Sequence, residues 1–147
     1  MIKIGKLLAE IGDASIKPSP YTKNQINSDK LVYNFNVQGQ EYRVTINEFG
    51  DNGEDIMFDF NKVESPEDTY LDTNLGHQYR ILSTVVAIMK EYIKEHPDTK
   101  ELTYIPVKTQ GEDDSRREKL YKAYIQKIVP NWKYTKNHEF IILTKPN

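Results

Sequence analysis

Residues Gly76 to Thr144 read GHQYRILSTVVAIMKEYIKEHPDTKELTYIPVKTQGEDDSRREKLYKAYIQKIVPNWKYTKNHEFIILT, and the order of patterns in this stretch decides the fold. Tyr79, Leu82, Val85, Val86, Met89, Tyr92 and Ile93 recur at helical spacing and form a wide apolar face. The helix they predict stops near His96-Pro97, because proline lacks a backbone donor and drives its predecessor out of the helical region. Glu101 to Val107 has the make-up of a short strand, with Pro106 marking its end or an edge. Ser115-Arg116-Arg117-Glu118 has the spacing of a capping box, in which the serine and glutamate side chains satisfy two orphan backbone donors. The helix it opens runs through Leu120, Tyr121, Tyr124, Ile125 and Ile128 and closes at Pro130. Trp132 to Thr135 and Glu139 to Thr144, around Lys136-Asn137-His138, then form a last hairpin.

Upstream the period changes to two. Leu31, Tyr33, Phe35 and Val37 alternate with Val32, Asn34 and Asn36, and Tyr42, Val44 and Ile46 alternate with Arg43, Thr45 and Asn47. Gln38-Gly39-Gln40 makes the tight turn between them. A second turn over Gly50 to Asp55 leads into Ile56 to Phe60, so residues 31–60 read as a three-stranded antiparallel meander. A meander with one apolar face needs a cover, and the helix after Gly76 supplies it. At the N-terminus Ile4, Leu7, Leu8 and Ile11 recur at helical spacing, so residues 1–12 read as a short amphipathic helix ending at Gly12. Residues 13–30, with Pro18 and Pro20, read as an irregular connection holding one short extended piece at Tyr21-Thr22-Lys23. The whole predicts a single α/β (α+β) domain over 1–147, with a mixed, mostly antiparallel sheet and two main helices.

At 147 residues the chain can bury a core without disulfides or a structural metal. It has no cysteine, and its three histidines, His77, His96 and His138, are scattered, so neither a Cys/His zinc site nor a disulfide framework can be built. Asp51, Asn52, Glu54 and Asp55 lack the ligand alternation and distal glutamate of a calcium loop. A net charge of −2 gives no electrostatic reason to expect a nucleic acid or an anionic membrane as partner. The basic cluster Lys108, Arg116, Arg117, Lys119 and Lys122 is surrounded by Glu112, Asp113, Asp114 and Glu118 and reads as a solvated helical face. The N-terminus is too short and too interrupted by charge for a signal peptide, and no apolar run approaches the ~20 residues of a membrane span. A cytoplasmic protein is expected.

Three strands, a helix, a strand, a second helix and a final pair of strands is an order that resembles the GNAT-like (acyl-CoA-dependent N-acetyltransferase) superfamily. The likeness covers about residues 31–145 and includes the Leu120-Tyr121 pair, although Val129-Pro130-Asn131-Trp132 replaces the usual glycine entry to the next strand. In active members a Gly-rich turn opens the central helix, so that backbone N–H groups cradle the pyrophosphate of the cofactor. The matching stretch here, Asp72 to Arg80, has one glycine, and Asp72 would repel a pyrophosphate. The resemblance is therefore greatest to degenerate, phage-encoded members.

That resemblance implies Gly76, His77 and Arg80 as the cofactor-binding positions and Tyr121 as the general acid that protonates a departing thiolate. The plainer reading is that Thr73 or Asn74 caps the helix, Gly76 permits a tight entry, and Tyr121 packs with Leu120 and Tyr124 against the sheet. Glu48, Asp59 and Glu64 are candidate bases near the splayed strands, and the sequence selects none of them. The function expected is a non-catalytic GNAT-fold protein, phage-encoded, that binds a protein partner or itself in a virion or in the infected cell. Its partner-binding face would be Ile4, Leu7, Leu8 and Ile11. No cofactor and no metal are expected in that role. The alternatives are an N-acetyltransferase that uses acetyl-CoA, and an inhibitor of a host defence protein.

Overall fold

A computed structural model describes residues 17–51, 53–64, 75–104, 114–137 and 140–147. The helix expected over residues 1–12, with Ile4, Leu7, Leu8 and Ile11, lies outside the described residues, as do Asp72, Thr73 and Asn74.

The described elements are β1 (Tyr21–Asn27), β2 (Lys30–Val37), β3 (Gln40–Phe49), β4 (Asp55–Lys62), α1 (Leu75–Glu95), β5 (Glu101–Tyr104), α2 (Asp114–Gln126), β6 (Lys133–Asn137) and β7 (Phe140–Thr144). They build one 7-stranded sheet of order β1-β2-β3-β4-β5-β7-β6. The first four strands form an antiparallel meander. β5 lies parallel to β4, because α1 carries the chain back to the end from which β4 started, and β7 and β6 complete the sheet antiparallel.

The meander thus has one strand more than the alternation predicts. Where the sequence reads an irregular connection with one extended piece at Tyr21–Lys23, the structure has a strand over the whole of Tyr21–Asn27. Its residues are exposed except for Tyr21, so no buried side chain imposes a period of two, and backbone pairing with β2 holds it in place. Pro18 and Pro20 mark its start. The β2–β3 turn behaves as its residues dictate: Gln38 (φ 52°) and Gly39 (φ 80°) both lie in the left-handed region, the geometry that matches the twist of a two-residue hairpin. α2 begins at Asp114, which places the Ser115 expected as cap within the helix.

Register assigns each strand residue to a face. Tyr33, Phe35, Tyr42, Val44, Ile46, Phe58, Phe60, Leu102, Tyr104, Ile141 and Leu143 share one face and are all buried. Both described helices lie on this face. α1 brings Ile81, Leu82, Val85, Ile88, Met89 and Tyr92 into the same core, and α2 brings Leu120, Tyr121, Tyr124 and Ile125. Ser19, just before β1, is tied to α1 by its backbone N–H, which donates to Thr84 Oγ1 at 2.9 Å. The opposite face carries Lys30, Val32, Thr45, Asn47, Met57, Asp59, Thr103 and Ile142. Val32 is buried there; most of the others are half-buried.

Candidate functional site

The parallel pair β4·β5 positions the candidate site. Its register runs Asp55↔Glu101, Ile56↔Leu102, Met57↔Thr103 and Phe58↔Tyr104, and β4 continues through Asp59–Lys62 with no described partner on that side. The residues that follow Tyr104 at the end of this pairing lie outside the described residues.

On the helix side this place is filled with rings. Tyr104 stacks on Phe58 (centroids 5.0 Å) and on Phe60 (5.9 Å, 6° between planes). Tyr121 of α2 stands edge-on to both Phe60 (6.3 Å, 79°) and Tyr104 (6.4 Å, 85°), and only 3% of it is exposed. These offset-stacked and T-shaped geometries are those that aromatic quadrupoles favour. The structure thus brings Tyr121 to the end of the β4·β5 pairing, where it packs as part of the core.

Gly76 and His77 lie in the first turn of α1, and Arg80 follows as an exposed residue. This end of α1 reaches α2 through Tyr79, which stacks on Tyr124 at 6.3 Å, so the two sets of residues implied by the resemblance sit on neighbouring helices. Thr84 Oγ1 donates to the Arg80 carbonyl at 2.6 Å, a bond that turns the threonine hydroxyl back onto its own helix. The residues that would cap this end of α1, Thr73 and Asn74, lie outside the described residues.

The three candidate bases separate. Asp59 is one residue past the last β4·β5 pair and faces away from the helices, opposite Thr45. Burial pushes its carboxyl up from the ordinary value, and the Lys30 ammonium pulls it part of the way back. Its Oδ1 is enclosed without a hydrogen-bond partner among the described residues. Tyr121 and Asp59 therefore flank the end of the pairing from opposite faces of β4. Glu64 is exposed at the far end of the described β4 segment.

Glu48 belongs to the other end of the sheet, where it accepts a hydrogen bond from the Tyr92 hydroxyl at 2.6 Å. The His96 ring lies flat on the Tyr92 ring (4.0 Å, 14°), with Nδ1 2.9 Å from the Tyr92 carbonyl and Nε2 3.8 Å from Glu48 Oε1. Burial, and then the hydrogen bond that the phenol donates to the Glu48 carboxylate, push the Tyr92 phenol upward. Sequence reasoning missed this group. The one signal available was the i, i+4 spacing of Tyr92 and His96, which places them on one helix face.

Among the described residues no group of three or more His, Asp or Glu side chains could hold a metal ion, and no helix is long and apolar enough to cross a membrane. Comparison of the chain with protein-family models, with characterised proteins and with solved structures gives no match.

Proposed function

We propose that this chain is a non-catalytic protein of GNAT-like architecture, phage-encoded, that acts by binding another protein as a virion or accessory component. The observation that carries the reading is the enclosure of Tyr121. A general acid for a departing thiolate must reach the reacting sulfur, and here the phenol ring is packed edge-on between Phe60 and Tyr104 with 3% exposure. The order of elements, with one parallel pair between the meander and the closing hairpin, supports the architectural part of the reading. The single glycine at the start of α1 supports the loss of cofactor chemistry.

Calorimetric titration with acetyl-CoA, with CoA and plain phosphate as controls, tests it. Neither heat nor thermal stabilisation at millimolar ligand is the expected result. Saturable micromolar binding of acetyl-CoA, absent with phosphate, would overturn the non-catalytic role. The second reading, an N-acetyltransferase working by direct attack of an amine on the thioester, is favoured by the raised Asp59 carboxyl at the end of the β4·β5 pairing and by the exposed Arg80. Under that reading Gly76→Asp blocks cofactor binding, and Tyr121→Phe lowers turnover with little change in affinity.

A further inference from the structure

A short groove runs between α1 and the end of α2. Ser83, Val86, Ala87 and Lys90 line it from α1, at the i, i+3, i+4 and i+7 spacing of one helix stripe, and Tyr124 and Lys127 line it from the other side. Pro18 completes the wall, in a segment that the bond from the Ser19 N–H to Thr84 Oγ1 ties to α1. The volume is about 200 Å³, below the ~300–1,000 Å³ of pockets that take drug-sized ligands. The lining divides by chemistry. Pro18, Val86 and Ala87 are apolar, whereas Lys90 and Lys127 bring two ammonium groups, and neither has an ion-pair partner among the described residues. Lys127 is half-buried, and burial followed by the Lys90 charge lowers its pKa. The Tyr124 hydroxyl is enclosed, without a hydrogen bond of ordinary geometry among the described residues. Ser83 beside it pulls the phenol partway back from the rise that burial causes.

We propose that this groove binds a carboxylate carried on a short aliphatic stem, with the carboxylate between the Lys90 and Lys127 ammonium groups and the stem on Pro18, Val86 and Ala87. Two like charges held together without a counter-charge repel each other. An anion between them removes that repulsion and accepts charge-assisted hydrogen bonds from both. The apolar wall selects among anions. Inorganic phosphate would meet the charges and leave Val86 and Ala87 in water, and a nucleotide would exceed the volume. A carboxylate on a few methylene groups serves both parts of the lining. That chemistry has two sources, a free aliphatic acid and a glutamate side chain of a protein partner, which the test separates. The inference stands apart from the function proposed above, because none of Gly76, His77, Arg80 and Tyr121 lines the groove.

The test titrates the protein at low ionic strength with butyrate, the blocked peptide acetyl-Ala-Glu-Ala-amide, butyramide and inorganic phosphate, followed by backbone-amide and lysine side-chain NMR. Butyrate or the glutamate peptide should shift the amides of residues 83–90 and 124–127 saturably in the millimolar range. Bound carboxylate should also move the titration of Lys127 upward, since it favours the charged form. Butyramide, which keeps the stem without the charge, and phosphate, which keeps the charge without the stem, should each bind roughly tenfold more weakly or not at all. Lys90→Met and Lys127→Met should each weaken carboxylate binding by roughly tenfold. Lys133→Met removes the same charge from the exposed β6 strand and should leave binding unchanged. Methionine keeps the apolar stem of lysine, so unchanged circular dichroism should show the variants folded; Lys90 is exposed, so its variant holds the test should Lys127→Met fail to fold. Tighter binding of the peptide assigns the site to a protein partner, and tighter binding of butyrate to a free acid. Absence of saturable shifts with both carboxylates would overturn the assignment. So would equal binding of butyramide or phosphate, or an equal loss in Lys133→Met.

Discussion

Phe60 and Asp59 are neighbours on β4, and they show how differently the two faces of the sheet are built. Phe60 points to the helices, is 2% exposed and lies against the rings of Tyr104 and Tyr121. Asp59 points the other way, to a face of half-buried polar and apolar residues, and its carboxyl is pushed up by burial without a hydrogen bond to Oδ1 among the described residues. The helix face is optimised for packing, whereas the opposite face keeps a carboxylate in a setting that opposes its charge. The buried apolar residues are concentrated on the first face.

The comparison can be broken most forcefully at Phe60. Phe60→Ala should cost about 3–5 kcal/mol in denaturant unfolding, because it removes the ring on which Tyr104 and Tyr121 both pack. A loss below about 1 kcal/mol would show that the packing of these rings contributes little to stability. Tyr92→Phe should cost about 1.5–3 kcal/mol, the range for a hydrogen bond to a charged acceptor, since it strands Glu48 beside His96. The phenols add a pH dependence. Tyr33, Tyr92 and Tyr124 are all raised, first by burial, so the folded chain keeps protons that the unfolded chain releases above about pH 10. Stability should therefore be flat with respect to these groups below that pH and fall as pH rises beyond it. In Tyr92→Phe the fall should be shallower, which chemical unfolding across the alkaline range would measure.

Gly39→Ala sharpens the picture at the β2–β3 turn. A Cβ there meets no atom within 4 Å, so the expected loss of about 1–2 kcal/mol comes from the left-handed backbone alone. Asp59→Asn should have the smallest effect and the opposite sign. A carboxyl raised in the folded state burdens that state when ionised, so the amide should stabilise the chain at neutral pH. That gain should vanish once acid has protonated the wild-type carboxyl. Destabilisation at neutral pH would mean that the Asp59 carboxylate is held by favourable contacts and that the contrast between the faces is wrong.

Much of the helix face was legible beforehand. The alternation in Leu31 to Phe35 and Tyr42 to Ile46, and the helical spacing from Tyr79 to Ile93, name most of the residues that prove buried. Tyr121 was legible as a packing residue beside Leu120 and Tyr124, while its role as general acid came only from the resemblance. β1 is legible only as the short extended piece Tyr21–Lys23, because an exposed edge strand buries too little side chain to leave a period of two. The contact of Glu48 with Tyr92 spans 44 residues, and no local spacing announces it.

The amino-acid pattern fixes the order of elements from β2 onward, the tight turn at Gln38-Gly39, and most of the residues that avoid water. Those properties depend on side-chain periodicity and backbone preference within a few residues of each position. Tertiary structure alone decided that β5 pairs parallel to β4, that α1 and α2 share one face, and that Asp59 and Tyr121 flank the end of the β4·β5 pairing from opposite sides. These arrangements come from contacts between segments far apart in the chain, where the balance of buried area and backbone pairing is set by the whole sheet.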